Sequence, residues 1–332
     1  MTVIARSAKR DVAISWRTIV FAVAAFALVS SVHAQPFPQR PVRIIVAFTS
    51  GTAADIVARQ LAEKLTGSFG KQVVVENRDG ASGTIGAGLA AGATPDGHTM
   101  LIASTSIVVS PLLIKNLPYD VFRDFAPVAS IATFPTVLVT GTQVAASSPS
   151  ELIAYARANP RKLNYGTAGR GSASHLSAEL MRSMANLEIV EVPYRVTAQA
   201  LGDTISGQVA MYFPNLAAAV PNIKAGRLKA LAVTSAKRTQ AAPDIPTMAE
   251  TLPGYEAASW YGLIVPSRTP KAVVGTLNTH VVKALQLPDV QQRFLNLGGD
   301  IASGSADELA RTMKNGAQKW AKLVREIETQ GR

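Results

Sequence analysis

The stretch Arg43-Ile44-Ile45-Val46-Ala47-Phe48 decides the fold, because it is an almost unbroken apolar run of strand length. Such runs are typical of strands buried on both faces of a parallel sheet. The next segment, Asp55 to Leu65, has apolar residues at helical spacing. We therefore predict a helix with one buried face. Val73 to Glu76 is the next apolar run. The order strand, helix, strand predicts a parallel α/β unit.

The alternation of strands and helices continues along most of the chain. A third strand is predicted at Met100 to Ala103, and a second series begins with a helix at Pro149 to Ala158. A single core usually stops growing near a length of 332 residues, so two domains are expected. The order of elements predicts two lobes, joined by segments that cross near Ile131 to Val139 and Ala258 to Val265. We expect lobe 1 to comprise residues 35–135 and 260–332, and lobe 2 residues 136–259.

The composition excludes several kinds of chemistry. The absence of cysteine rules out thiolate catalysis, iron–sulfur clusters, Cys-ligated zinc and disulfides. Lys and Arg number 33 against 22 Asp and Glu, a net charge of +11, but the basic residues are scattered rather than clustered. We therefore expect a cationic surface that attracts an anionic ligand and does not bind nucleic acid. No residue pattern predicts a cofactor or a bound metal.

The first 34 residues have the pattern of an export signal. A basic stretch that includes Arg6 and Arg17 precedes Ile19 to Val32, an uncharged run of 14 residues, and Val32-His33-Ala34 resembles a cleavage site. An uncleaved signal anchor is the alternative, but the run is short for a bilayer core of about 30 Å. We predict cleavage near Ala34 and an exported mature chain that starts at Gln35.

Three loops between a strand and a helix are rich in Gly, Ser and Thr: Phe48 to Thr52, Asp79 to Thr84 and Gly166 to Ser174. In a doubly wound sheet such loops lie at the edge where ligands bind, and the helix that follows offers free amides to an anion. Any one of these loops, taken alone, is better explained as a turn with a helix cap. Three of them together predict an anion-binding site.

Reaction chemistry has much weaker support than binding. No G-x-S-x-G or G-x-x-x-x-G-K-[ST] segment occurs, and Gly169 to Ser174 lacks the third glycine of a dinucleotide-binding loop. His175 and Glu179 lie one helical turn apart, but two ligands are too few for a metal site. We predict that the protein is not an enzyme, with an exported α/β hydrolase or transferase as the alternative.

Short motifs along the whole mature chain, in the same order, resemble the substrate-binding receptors of tripartite tricarboxylate transporters, the Bug family. The motifs that carry the resemblance are Pro41-Val42-Arg43-Ile44-Ile45-Val46, Val73-Val74-Val75-Glu76-Asn77-Arg78, Pro95-Asp96-Gly97, Leu117-Pro118-Tyr119-Asp120, Leu163-Asn164-Tyr165-Gly166-Thr167-Ala168-Gly169, Ser174-His175-Leu176, Val192-Pro193-Tyr194 and Asp244-Ile245-Pro246-Thr247.

The resemblance implies a type II periplasmic binding protein fold that closes on a small organic carboxylate. It also implies a monomeric periplasmic receptor that delivers this ligand to the integral membrane subunits of a transporter. An orphan receptor that senses a solute and signals to a membrane partner is the alternative. Carried onto this chain, the resemblance implies a ligand site at Phe48, Ser50, Gly51, Thr52, Thr105, Ser106, Thr167, Ala168, Gly169, Ser172, His175, Tyr194, Phe213 and Asn215.

Three positions depart from the family pattern and bear on the ligand. The usual Pro-Gly-Gly of the first loop is Thr49 to Thr52 here, the usual Tyr-Lys-Gly is Tyr194-Arg195-Val196, and Pro214 replaces a polar residue. Val196 and Pro214 predict a more apolar pocket, so we expect a mono- or dicarboxylate with an apolar or aromatic body rather than a tricarboxylate. Arg195, and also Arg170, is a candidate for pairing with the carboxylate through a guanidinium. The alternative is that both are solvated residues at the lip of the cleft, and for Arg170 this alternative is the better supported one.

Overall fold

The computed structural model describes residues 37–194, 196–302 and 304–329. The predicted signal peptide, residues 1–34, and the candidate ligand residue Arg195 lie outside the described residues. The strands of the described part are β1 (Val42–Val46), β2 (Val73–Asn77), β3 (Thr99–Ser104), β4 (Phe125–Phe134), β5 (Val137–Gly141), β6 (Asn164–Thr167), β7 (Val190–Pro193), β8 (Met211–Tyr212), β9 (Leu228–Val233), β10 (Ser259–Pro266) and β11 (Asp300–Ile301).

The α-helices of the same residues are α1 (Ala53–Phe69), α2 (Thr84–Ala91), α3 (Thr105–Leu113), α4 (Val121–Asp124), α5 (Pro149–Ala158), α6 (Ala173–Ala185), α7 (Thr197–Ser206), α8 (Leu216–Lys224), α9 (Lys271–Leu285), α10 (Pro288–Asn296) and α11 (Ala306–Thr329). No helix among the described residues is long and apolar enough to span a membrane.

The strands form two mixed sheets, one in each lobe. The first has the order β11-β4-β10-β3-β1-β2 and the second the order β7-β6-β8-β5-β9. The predicted two-lobe α/β fold of the periplasmic binding protein type is confirmed. Strands β1, β2 and β3 are parallel, as predicted for the first α/β unit, whereas β10, which was predicted only as a crossing segment, is antiparallel to both β3 and β4. The reason is that β4 carries the chain out toward the second sheet and β10 carries it back.

Strand β1, which contains most of the apolar run that predicted the fold, lies in the core of the first lobe. Ile44, Ile45 and Val46 of β1 are almost completely buried, because neighbouring strands flank β1 on both sides and helices cover the sheet. Helix α1 buries the apolar face predicted from its spacing, with Val57 and Leu61 fully inaccessible to solvent. The C-terminal helix α11 packs against α3 and β4 and also contacts α6 of the second lobe.

The two crossing segments are joined to each other by buried hydroxyl groups. The chain passes from β4 to β5 at Thr136 and leaves β9 at Thr234. The Thr136 amide donates to Thr234 Oγ1 at 2.9 Å, and the Thr234 amide donates to the Thr136 carbonyl at 2.9 Å. Thr136 Oγ1 also lies 3.0 Å from Ser177 Oγ on α6. Both connections between the lobes are therefore held together at one place.

A second buried polar group, the carboxylate of Asp55, fixes the first loop. It accepts hydrogen bonds from the Gly51 amide at 2.9 Å, from Arg59 Nε at 3.0 Å and from Asn77 Nδ2 at 2.9 Å. Burial alone would raise the pKa of Asp55, but the hydrogen bonds from Arg59, Gly51 and Asn77 outweigh it and lower the pKa to about 2. The loop, the start of α1 and the end of β2 thus share one charged acceptor.

This network makes a prediction about acid stability. The folded pKa of Asp55 lies below the usual 3.8, so its contribution to stability is present above pH 3.8 and is lost as the pH falls toward 2. Asp55→Asn should lower the free energy of unfolding at pH 7 by about 2 to 3 kcal/mol and flatten its decline between pH 4 and pH 2. Urea unfolding followed by circular dichroism measures both effects. Glu188→Gln, at an exposed acid, is the control, and an equal effect of the two substitutions would refute the role of Asp55.

Candidate ligand-binding site

A cavity of about 500 Å³ lies between the lobes, and the start of one helix from each lobe lines it. From the first lobe come Ser104, Thr105 and Ser106, where β3 ends and α3 begins. From the second lobe come Ser172 and Ala173, where the loop after β6 enters α6. The volume lies within the range of small-molecule sites.

The backbone of these two helix starts favours an anion. Ser172 caps α6, because its hydroxyl accepts the His175 amide at 3.2 Å, while the side chain of Ser104 leaves α3 uncapped and contacts Ser106 Oγ at 2.9 Å. The first amides of a helix have no partner inside the helix, and each N-terminus carries about half a positive charge. A negative group in the cavity would therefore meet donors and favourable dipoles from both lobes.

The remaining walls of the cavity are mostly apolar. Val109, Leu113 and Ile114 line it from α3 and the residue after it, and Leu176 lines it from α6. Among the lining residues, all of which belong to the described part of the chain, Arg170 is the only one with a charge. Tyr261 adds a hydroxyl from β10, and burial raises its pKa to about 12, so it stays a hydrogen-bond donor at neutral pH.

A second chamber of about 440 Å³ adjoins the first. The two share Ala168, Ser172 and Ala173, so they lie on either side of the start of α6. The second chamber is lined by Thr197 at the start of α7 and by Asn215 just before α8. Its other lining residues are Thr136, Ser174, Ala198, Leu201, Tyr212, Phe213, Pro214 and Ala218, none of which is charged. This chamber therefore offers hydroxyl, amide and aromatic surfaces.

Seven of the residues implied by the family resemblance lie on these two chambers. The first chamber is lined by Phe48, Thr105, Ser106, Ala168 and Ser172. Two of these residues, Ala168 and Ser172, also line the second chamber. The second chamber alone is lined by Phe213 and Asn215. They come from four separate stretches of sequence, which the fold brings together at the cleft.

The first loop is placed differently from the expectation. Ser50, Gly51 and Thr52 do not line either chamber. Their polar groups have local partners, because the Gly51 amide and the Ser50 hydroxyl donate to Asp55 and the Thr52 hydroxyl donates to the Thr49 carbonyl at 2.9 Å. The loop closes on the first turn of its own helix and presents only Phe48 to the cavity.

Four further candidates line neither chamber. Thr167 is fully buried and donates to Glu191 at 2.7 Å, and Gly169 donates back to the Thr167 hydroxyl at 3.3 Å. The Tyr194 hydroxyl donates to Asp203 at 2.8 Å. His175 lines a separate cavity of about 370 Å³ behind the loop, and burial lowers its pKa, which keeps the imidazole neutral at pH 7.

The His175 and Glu179 pair belongs to a buried polar network. Arg182 pairs with Glu179 at 2.6 Å, with both side chains almost fully buried, and the Tyr165 hydroxyl also donates to Glu179. His175 Nδ1 accepts the Gly171 amide at 3.4 Å. These contacts support the loop of the ligand cavity from behind.

Sequence reasoning identified Ser106 but missed the rest of one face of α3. The first chamber is also lined by Val109, Ser110 and Leu113, which follow Ser106 by three, four and seven residues, the spacing of one helical face. The same spacing, applied to the segment after β3, could have identified them. No comparable pattern in the sequence indicates that Tyr261 lines the cavity. This residue belongs to β10, which was interpreted only as a crossing segment.

Comparison with known proteins shows the family to which the chain belongs. Residues 57–329 match the model of the tripartite tricarboxylate transporter family receptor, TctC. The protein encoded in the tcbD-tcbE intergenic region of Pseudomonas sp. strain P51 is 40% identical over 313 residues, which cover 93% of each chain. BugT of Bordetella pertussis is 34% identical over 307 residues, covering 92% of this chain and 94% of BugT.

Solved structures of two further proteins are similar to this chain in sequence and in fold. Rpa4515 of R. palustris, solved with adipate, has 37% identity and a TM-score of 0.77, over 87% of this chain and 98% of its own. MatC of Rhodopseudomonas palustris, solved with bound malate, has 32% identity and a TM-score of 0.74, over 87% of this chain and 100% of its own. The chain belongs to the TctC or Bug family of tripartite tricarboxylate transporter receptors, and it is a solute-binding receptor and not an enzyme.

Proposed function

We propose that this receptor captures a small carboxylate with an apolar body between its lobes. The observation that carries the proposal is that the starts of α3 and α6, one from each lobe, line a single cavity whose other walls are mainly apolar. Amides and helix dipoles stabilise a carboxylate, and the apolar walls stabilise a hydrocarbon chain. The adipate and malate bound to two relatives support this ligand class.

A tricarboxylate fits the cavity poorly. The two helix starts together supply about one positive charge, and Arg170 supplies one more. A third carboxylate would lie against apolar side chains such as Val109 and Leu113, or against the uncharged second chamber. Pro214 in that chamber adds to its apolar character.

We further propose that binding closes lobe 1, residues 35–135 and 260–332, onto lobe 2, residues 136–259. A ligand that contacts both helix starts favours the closed state, because it makes all of its contacts only there. Gly171 marks where the lobes touch in the structure: a Cβ built there would lie 2.8 Å from Leu113 Cδ1. The absence of a side chain at this position therefore permits the closed cleft.

Membership of the family supports a proposal about the location and the partners of the receptor. We propose that the mature receptor works in the periplasm as a monomer and delivers its ligand to the integral membrane subunits of a tripartite transporter. Residues 1–34 would act as a signal peptide that is cleaved near Ala34.

The ligand class is tested by a thermal-shift screen of the mature protein, confirmed by calorimetry. The dicarboxylates from succinate to suberate, benzoate, citrate and dimethyl adipate form the panel. A ligand at about 100 times its Kd adds roughly 2.7 kcal/mol, or about 4 °C in Tm for a chain of this size. We expect such a shift from an acid with an apolar body and none from the uncharged ester. A larger shift with citrate, or no shift with any acid, would contradict the proposal.

The closure contact is tested by Gly171→Ala with Gly169→Ala as its matched control. Both glycines have a positive φ, +79° and +93°, so an alanine costs similar backbone strain at either one. Only Gly171 has a neighbour within 4 Å across the cleft, so only that alanine must push Leu113 into the cavity or separate the lobes. The contacted atom is the end of a leucine side chain that can turn into the cavity, so we expect the low end of the cost of overpacking, about 1 kcal/mol, and ligand binding by Gly171→Ala about 5-fold weaker than by Gly169→Ala.

In a Leu113→Ala background, Gly171→Ala should weaken ligand binding much less than it does in the wild type, because the obstructing side chain is already absent. Equal affinities of the two single variants, measured by calorimetry, would show that the contact does not limit closure.

The export proposal is tested by N-terminal sequencing of the protein purified from the periplasmic fraction. We expect the chain to begin at or near Gln35. A chain that still begins at Met1 in the membrane fraction would contradict cleavage.

A further inference from the structure

Arg170 lies between two cavities. It lines the ligand cavity between the lobes and also the 370 Å³ cavity that contains His175 and Glu179. The residue is exposed, and it follows Gly169 in the loop that leads to Ser172 and α6. Because the side chain is exposed and its residue lines both cavities, a change of rotamer can direct the guanidinium toward the ligand cavity without any rearrangement of the backbone.

The carboxylates behind the loop are already engaged by other groups. Glu179 is paired with Arg182 at 2.6 Å and accepts the Tyr165 hydroxyl. Glu191 accepts the Thr167 hydroxyl at 2.7 Å. Across residues 37–194, 196–302 and 304–329, no carboxylate oxygen lies within 4.0 Å of the Arg170 guanidinium.

The charge in the ligand cavity decides how many carboxylates it can hold. Each helix start is equivalent to about half a positive charge, so those of α3 and α6 together balance about one carboxylate. A second carboxylate on the same ligand would otherwise lie among Val109, Leu113 and Leu176 without a counter-charge, which is costly. Arg170 is the one charged side chain among the described residues that line this cavity.

We propose that Arg170 is a specificity-determining residue: its guanidinium pairs with the second carboxylate of the ligand and makes the receptor select a dicarboxylate over the monocarboxylate of equal length. The inference rests on the proposed function of the cavity as a carboxylate site and adds the number of charges on the ligand. A guanidinium suits this role because it remains charged at every physiological pH and binds a carboxylate through two parallel hydrogen bonds.

The test is calorimetry of the wild type, Arg170→Gln, Arg170→Lys and Arg161→Gln. Arg161 is the matched control, because it lines the rear cavity and not the ligand cavity. The ligands are the dicarboxylate from the series succinate to suberate that binds the wild type most tightly, and the monocarboxylate with the same number of carbons. For adipate the partner is hexanoate.

We expect Arg170→Gln to weaken dicarboxylate binding by about 10- to 150-fold and to change monocarboxylate binding less than about 3-fold. Arg170→Lys should fall between wild type and Arg170→Gln, because it keeps the charge but loses the two-pronged contact. Arg161→Gln should leave both affinities unchanged. Circular dichroism and Tm establish that each variant is folded. If Arg170→Gln does not fold, the affinities of Arg170→Lys test the role of Arg170.

Two other outcomes would refute either the role of Arg170 or the proposed function. An unchanged ratio of dicarboxylate to monocarboxylate affinity in Arg170→Gln, or an equal loss of both ligands, refutes the role of Arg170 and leaves the carboxylate site intact. A wild-type protein that binds none of these acids refutes the proposed function, and the assignment of Arg170 falls with it.

Discussion

The two buried threonines that join the crossing segments are the constraint on which the cleft depends. Thr136 and Thr234 bond to each other through both backbone and side chain, and Thr136 also contacts Ser177 on α6. Both connections between the lobes meet at this point, and we propose that the lobes pivot there while each keeps its own sheet. Thr136 also lines the second chamber, so the pivot lies at the base of the site. Helix α6 thus runs from the pivot to the cavity, where its first turn lines both chambers.

The cleft attracts an anion mainly through its backbone. Helix dipoles and free amides give a carboxylate partners at little cost, since they are fixed in place before the ligand arrives. The apolar walls lower the local dielectric, and this strengthens each of those contacts. The buried network of Tyr165, Glu179 and Arg182 holds the loop from behind and keeps its own charges satisfied. In our proposal, the Arg170 guanidinium adds the one charge that decides how many carboxylates the ligand carries.

The sequence predicted the elements that are governed by local periodicity. The run around Ile44 and the apolar spacing of α1 identified the first βαβ unit, because burial on a strand or helix face leaves a regular pattern. The direction of β10 and the inward position of Tyr261 were not predicted, since both depend on where the chain returns from the other lobe. Ser50 to Thr52 look like ligand donors in the sequence, but Asp55, only a few residues away, takes up the polar groups of Ser50 and Gly51. The position of His175 behind the loop also depends on tertiary packing, which one sequence cannot show.

A crystal structure of the mature protein with its tightest-binding dicarboxylate tests the anion site most directly. One carboxylate should lie about 3 Å from backbone amides at the starts of both α3 and α6, with the hydrocarbon chain against Val109 and Leu113. A carboxylate that contacts only one of the two helix starts, or a ligand bound outside the cavity between the lobes, would contradict the mechanism of capture described above.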